Sequence, residues 1–338
     1  MEEKILTAEP IEDIDNCEEK AADKTLTKKE KRAAKRALKA AAKLEKKKNK
    51  KYRRRWGDRK DGRRVRSLPP MQKMVPYIMK VRADAQNHFE DEIDITNIEK
   101  YLDEKHAEGH KSVGLLHIII TSYIRAMSQR PGINRFCSGQ KVYARNNVIG
   151  VMTIKKEMSV SSPDTTIKVE FDKADTVLDV CNKFNATVEK ALSADSSFDN
   201  TAKILSFIPG LFLRGTVAFL RFLDYFGWLP KKLLDVSPFH GSFIITSMGS
   251  LGINAIYHHL YDFGNLPVFM SYGKKYSKNV LKADGTVEKR NFISFRVVTD
   301  ERICDGYYYA SAFKMISRYL QHPEQLDVPP KEIVEDID

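Results

Sequence analysis

From about residue 70 onward, two hydrophobic patterns alternate along the chain: apolar residues at helical spacing, and short continuous apolar runs. Met71 to Phe89 has helical periodicity, with Pro76 near its start. Asp94-Ile95-Thr96 then leads into a second helix over Asn97 to Gly109. Leu115 to Arg130 reads as an apolar helix closed by Pro131-Gly132. Short strands are predicted around Val142–Ala144, Ile149–Lys155 and Thr166–Phe171, followed by a helix from Thr176 to Ala194. Residues 203–234 are unusually apolar and are broken by Pro209-Gly210 and Gly227. Ser242–Thr246, Val268–Gly273 and Phe292–Thr299 read as strands, and Tyr307–Tyr319 as an amphipathic helix. There is no internal repeat and no Rossmann or P-loop glycine pattern, so the expected class is mixed α/β with long-range strand pairing.

Before residue 67 the pattern changes. Residues 1–24 carry nine Asp/Glu against three Lys/Arg, and residues 25–66 carry 21 Lys/Arg against four Asp/Glu. The remainder is close to neutral, with 33 basic and 32 acidic groups, so the net charge of +12 belongs to the N-terminal region. Residues 1–60 are therefore expected to be a disordered extension, acidic and then basic, with a solvated Ala/Lys/Arg helix within 25–51. The folded domain is expected over 61–338, with 203–234 as an apolar helical insertion. The basic stretch suits weak, salt-dependent contact with RNA, DNA or an anionic membrane surface, or serves only as a solubilising tail. Arg214, Arg221 and Asp224 interrupt the apolar run, so no transmembrane segment is expected; that run either lies at a lipid interface or caps a channel or subunit contact. Cys17, Cys137, Cys181 and Cys304 lie far apart without CxxC spacing. That argues for a reducing compartment, the cytoplasm, and against structural zinc.

The candidate chemistry lies near the C-terminus. Glu301-Arg302-Ile303-Cys304-Asp305-Gly306 has the form of a His-x-x-x-Asp-Gly acyltransferase loop with Glu in the histidine position. A strand feeds the loop and a helix follows it, the setting that holds a catalytic base at a strand end. Gly241-Ser242-Phe243-Ile244-Ile245-Thr246-Ser247-Met248-Gly249-Ser250-Leu251-Gly252 resembles a G-x-F-T-I-S-N-x-G-x-x-G segment. Pro131-Gly132-Ile133-Asn134 and Asn87-His88-Phe89 resemble two further motifs in the same order. Taken together, residues 66–326 resemble the catalytic domain of the dihydrolipoamide acyltransferases of 2-oxo acid dehydrogenase complexes, whose fold is shared with chloramphenicol acetyltransferase.

That resemblance implies a chloramphenicol-acetyltransferase-like mixed-sheet sandwich with flanking helices, a homotrimer with sites between subunits, and coenzyme A or acyl-coenzyme A as substrate. It implies a loop base at Glu301, a tetrahedral oxyanion bonded by Thr246 with Ser247 adjacent, and Asp305 holding the loop by ion pairing; Arg82 is a candidate for its partner. Gly249, Gly252 and Gly306, with His258 and His259, are the implied coenzyme A contacts. The chain lacks the Ala/Pro-rich arms of such complexes, so lipoate would have to arrive on another chain. Val169–Ala174 imitates a lipoylation hairpin at Lys173 without the strand set that a lipoyl domain needs.

Replacing imidazole by carboxylate has a cost. A free thiol titrates near 8.5, His near 6.5 and Glu near 4.3, so proton removal is uphill by about 2.7 kcal/mol for His and about 5.7 kcal/mol for Glu. The difference of about 3 kcal/mol corresponds to roughly a hundredfold in rate. Burial in an apolar channel can raise a Glu and close much of that gap. Two readings stay open: Glu301 as an altered base, or Glu301 as an ion-pair partner of Arg302 or Arg296 in a non-catalytic binding or scaffold protein. His240, or His258-His259, could supply a replacement base. Adjacent His258 and His259 point apart and make no metal site, and no metal is expected.

Overall fold

The computed structural model describes residues 54–155, 164–193 and 209–338, and Arg55–Asp338 form one compact unit. Residues 1–53 of the extension, with its 25–51 helix and Cys17, and residues 203–208 of the apolar stretch lie outside the described residues. Residues 55–60, expected in the extension, instead belong to the compact unit, with Asp58 and Arg59 buried. In chain order the main elements are β1 (Gly62–Arg64), α1 (Pro70–Ile78), β2 (Gln86–Asp94), α2 (Thr96–Ala107) and α3 (Leu115–Gln129). β3 (Arg135–Ser138), β4 (Lys141–Arg145), β5 (Val148–Lys155), β6 (Asp164–Phe171) and α4 (Val177–Ser193) follow. The chain continues through α5 (Gly210–Tyr225), α6 (Lys231–Val236), β7 (Phe243–Ser247), β8 (Val268–Leu281), β9 (Val287–Asp300) and α7 (Gly306–Gln321).

A six-stranded mixed sheet runs in the order β2-β9-β8-β7-β5-β6, beside a small sheet ordered β1-β4-β3. β7 pairs in parallel with both β5 and β8, and the remaining pairs of the large sheet are antiparallel. One sheet face packs on α2, α3, α4 and α7: Phe243, Ile245, Val268, Met270, Phe295 and Val297 meet Tyr123, Ile124, Phe184, Tyr309 and Ile316. The helix α3 is buried on nearly every side, which explains its lack of a polar face. Its Thr121 and Ser122 hydroxyls donate to carbonyls four residues back, at 2.7 and 2.8 Å, so their burial leaves no unmet donor. The other sheet face carries a smaller cluster, Val151, Ile244, Leu260, Leu266, Phe269 and Val298, roofed by the segment 253–266.

The mixed-sheet sandwich with flanking helices expected from the sequence is therefore the observed architecture. One expected element is wrong. The helix assigned to Met71–Phe89 ends at Ile78, and Gln86–Asp94 is an edge strand paired along its whole length with β9. Only Phe89 and Ile93 of that strand reach the helix side, and its other face is solvated and acidic, so it lacks an apolar run for the eye to find. The hairpin β8–β9 is also longer than its apolar core: beyond the irregularity at Tyr272/Lys275 it continues in polar, exposed sequence.

Candidate functional site

The loop after β9 is locked by a buried carboxylate. Asp300 is fully buried, and its oxygens accept from Arg302 Nε at 2.8 Å, Arg302 Nη2 at 2.7 Å, the Arg302 backbone N–H at 3.1 Å and Arg82 Nε at 3.2 Å. Burial acts to lower the Arg302 pKa, but hydrogen bonding and charge from Asp300 outweigh it and the net shift is upward. Tyr309 donates its hydroxyl to the Asp300 carbonyl at 3.1 Å. The Glu301 N–H donates to the Ala85 carbonyl at 2.8 Å, which pins the loop to the turn ahead of β2. Asp305 then caps α7, its Oδ1 accepting the Tyr308 N–H at 2.8 Å.

These contacts differ from the expected ones. Arg82 grips Asp300, five residues before Asp305, and Asp305 is an exposed N-cap. Arg302 is also taken by Asp300, and Arg296 pairs with Glu90 at 2.7 Å. Among the described residues no ion pair engages the Glu301 carboxylate, which is exposed in the single protomer. Gly306 opens α7 with free space around its α-carbon. The nearby thiols are no substitute nucleophiles, since burial pushes Cys137 up to about 11 and raises Cys304 further.

Thr246 lies on the sheet face away from the helices, since it is two residues beyond Ile244 of the smaller cluster. Its row across the sheet is Thr246–Ser271–Arg296–Glu90. Nearby hydroxyls on this face are committed to structure. Ser271 Oγ accepts the Ile256 N–H at 3.0 Å, Ser294 Oγ the Ala255 N–H at 2.9 Å and Ser242 Oγ the Ile149 N–H at 2.9 Å. The half-buried Thr246 hydroxyl has no hydrogen-bond partner among the described residues. Ser247 Oγ faces the Ser250 N–H at 3.4 Å and the Tyr272 hydroxyl. Gly249 sits against the Gly273 carbonyl, where a Cβ would come within 2.8 Å, and Gly252 closes the turn at φ 74°.

The register separates the two halves of the expected site. Thr246 aligns through Ser271 with Arg296, whereas Glu301 is five residues further along β9. At about 3.3 Å per residue and about 4.8 Å per strand, the two lie roughly 19 Å apart within one chain. Glu301, Asp305 and Gly306 gather at one end of the sheet; Thr246, Ser247, Gly249 and Gly252 gather at the other.

The histidines join neither group as bases. His240 is buried at the Glu301 end, with Nδ1 2.8 Å from Ser237 Oγ and Nε2 3.4 Å from Asp224 Oδ1. The latter is too long for a strong charge-assisted bond. Burial holds the His240 pKa below its ordinary value despite the opposing Asp224 charge. Asp224 itself, though burial opposes it, is drawn down to about 2 by His240 and by Arg59, whose Nη2 is 2.5 Å away. His258 stacks on Phe269 at 4.2 Å and on His259 at 4.5 Å, and its Nδ1 lies 2.8 Å from the His259 carbonyl, so the pair forms part of the roof over the smaller cluster. Among the described residues no group of three His, Cys, Asp or Glu could hold a metal ion. Lys173 lies in the turn from β6 into α4, not at a hairpin tip.

Two clefts open beside the Glu301 loop. The larger, about 690 Å³, is apolar and lies between α5, α6 and the segments 237–240 and 259–263, with Ala83 also in its lining. The smaller, about 380 Å³, has a mixed lining that includes charged side chains of both signs and shares Arg221, Asp262 and Phe263 with the first. Sequence reasoning missed the Asp300 clamp and the Arg59–Asp224 pair. The Asp300-x-Arg302 spacing was a usable signal for the first; nothing local pointed to the second, which joins residues 165 positions apart.

No protein-family model matches the chain, and no curated protein sequence matches it either. Solved structures do. A probable dihydrolipoamide acetyltransferase from Listeria monocytogenes aligns over 76% of this chain and 94% of its own, at 14% identity and a TM-score of 0.50. A dihydrolipoamide acetyltransferase from Azotobacter vinelandii aligns over 78% and 93% at 14% identity and 0.46, and a chloramphenicol acetyltransferase over 74% and 94% at 13% and 0.43. The first of these likenesses shows that the chain shares the fold of that probable dihydrolipoamide acetyltransferase. No helix among the described residues is long and apolar enough to cross a membrane.

Proposed function

We propose that the protein is a coenzyme-A-dependent acyltransferase acting on thiols and thioesters, assembled as a homotrimer in which each reaction centre is shared by two copies. One copy supplies Glu301 and its neighbour supplies Thr246. The observation that carries this reading is the pairing of two uncommitted groups, the exposed Glu301 carboxylate and the unclaimed Thr246 hydroxyl, at opposite ends of one sheet. Neither can serve the other within a chain, and a second copy of the same surface can bring them together.

In this mechanism the acceptor thiol gives its proton to the Glu301 carboxylate, and the thiolate attacks the acyl thioester carbonyl. A new carbon–sulfur bond forms and the carbonyl electron pair moves onto oxygen, where the Thr246 hydroxyl donates to it. Collapse breaks the old carbon–sulfur bond, and the departing thiolate recovers the proton from Glu301. The Asp300 clamp fixes the loop backbone so that the carboxylate need not be ordered during reaction. Closure of a subunit boundary over Glu301 would strip its water and raise its basicity, narrowing the handicap relative to imidazole.

A second reading, an acyl-thioester-binding or scaffold protein without turnover, is favoured by the exposure of Glu301 in the protomer, since nothing within the chain desolvates it. Incubating the full chain with an acyl-coenzyme A and dihydrolipoamide while following free thiol decides between them. Turnover that disappears in Glu301→Gln supports the transferase; binding of coenzyme A without turnover supports the second reading; absence of binding defeats both.

A further inference from the structure

We propose that the apolar cleft under α5 and α6 is the binding site for the hydrocarbon chain of a medium- to long-chain acyl thioester. This names the substrate class of the proposed transferase and so rests on that reading. The walls are aliphatic and aromatic: Val217 and Leu220 on α5, Leu233 and Val236 on α6, and Phe239 and Leu260 opposite them. At about 690 Å³ the cleft has the size of a site for a substantial organic ligand, far beyond the needs of an acetyl group.

Three further features choose the occupant. First, Ala83 lines the cleft and lies two residues (at most about 7.6 Å of Cα path) from Ala85, whose carbonyl holds the Glu301 N–H. The cleft therefore lies beside the turn that holds the reaction loop, within reach of a thioester group carried on a bound chain. Second, the adjoining mixed cleft presents Lys80 and Arg221, neither of which has a carboxylate partner among the described residues, and Arg221 borders both clefts. The same cleft also holds Asp224, paired with Arg59, and Asp262, whose carboxylate accepts backbone N–H groups of Arg82 and Ala83. Its four Lys/Arg against two Asp still leave a cationic excess beside the apolar trough. That suits an amphiphile with an anionic head, as a fatty acyl thioester of phosphorylated coenzyme A is. Third, the cleft is held open by rigid parts. Leu229 and Leu234 are buried anchors, Lys168 donates to the carbonyls of Leu234 and Ser237 at 2.7 and 2.9 Å, and Arg59 binds Asp224 near the end of α5.

Calorimetric titration of the full chain with octanoyl- and dodecanoyl-coenzyme A, below micellar concentrations, tests this. Each fully buried methylene is worth roughly a fourfold gain in affinity, so four more in a half-open cleft predict a gain of about tenfold or more. Val217→Trp and Leu220→Trp, which fill the cleft, should pull that ratio toward one. Phe219→Ser, on the outer side of α5, should leave it intact, and Arg221→Glu should weaken both esters together. A ratio near one in the unmodified protein overturns the chain site while leaving the proposed transferase standing. So does a ratio unchanged by both tryptophans, or a Val217→Trp protein that merely loses its assembly, which would mean that a second copy fills the cleft. If neither ester binds but lauric acid does, and Val217→Trp abolishes that binding, the chain site holds and the transferase reading falls.

Discussion

Asp300→Asn isolates the clamp that holds the candidate reaction loop. The substitution keeps the shape of the side chain and removes its charge, leaving Arg82 and Arg302, both buried, around a neutral amide. Breaking a buried, hydrogen-bonded ion pair by removing one partner costs about 3–5 kcal/mol, because the remaining charge stays desolvated. For a domain of this size each kcal/mol shifts the melting temperature by about 2–4 °C, so a fall of roughly 10 °C is expected. Asp305→Ala is the comparison. It removes an exposed N-cap worth about 1 kcal/mol, and so about 3 °C. Circular dichroism melts of the two variants and the parent, in one buffer, supply the numbers. An Asp305→Ala loss as large as that of Asp300→Asn would refute the assignment of the loop's anchor to Asp300 and restore the ion-paired role expected for Asp305.

Acid should destabilise the fold in two stages. The His240 pKa is depressed in the folded state, so below about pH 6.5 the unfolded chain binds a proton that the native ring refuses, and stability falls. Asp224, at about 2 when folded, contributes stability that is complete above about pH 4 and is lost as the pH drops through 2. Burial also lowers the His117 and His258 pKa values, so urea midpoints measured from pH 8 to 3 should show the first slope reduced, not abolished, in His240→Gln; an unchanged slope would contradict a neutral buried ring. Two glycines should respond to alanine in opposite directions. Gly227 has φ 72° and a Cβ there would sit 2.9 Å from Arg59 Cγ, so Gly227→Ala should cost about 2 kcal/mol. Gly215 lies inside α5 with open space around it, so Gly215→Ala should gain about 0.8 kcal/mol in the same unfolding assay.

Much of the fold could be read because its core elements carry one consistent period. The buried strands β5 and β7 and the helices α3, α4 and α7 all fell within a residue or two of their expected bounds. The edge strand β2 could not be read, since an edge with a solvated face is specified by its partner β9 and not by its own apolar content. The loop was legible as a motif and misleading as a circuit. Arg82 was visible as a candidate partner, but only three-dimensional packing reveals that the buried carboxylate next to the loop, Asp300, outcompetes the exposed Asp305 for it. Sequence order also hid the distance between Glu301 and Thr246. Motifs follow one another along the chain, and only sheet register turns that order into opposite ends of a protomer.

The shared reaction centre is tested most directly by mixing two inactive proteins. Glu301→Gln and Thr246→Ala chains, each without turnover, are unfolded, combined in equal amounts and refolded together. In a randomly mixed trimer about one site in four joins an intact Glu301 to an intact Thr246 from the neighbouring copy, so turnover should return to about one-quarter of the parent value. A mixture as inactive as its two components would contradict a centre built from two chains.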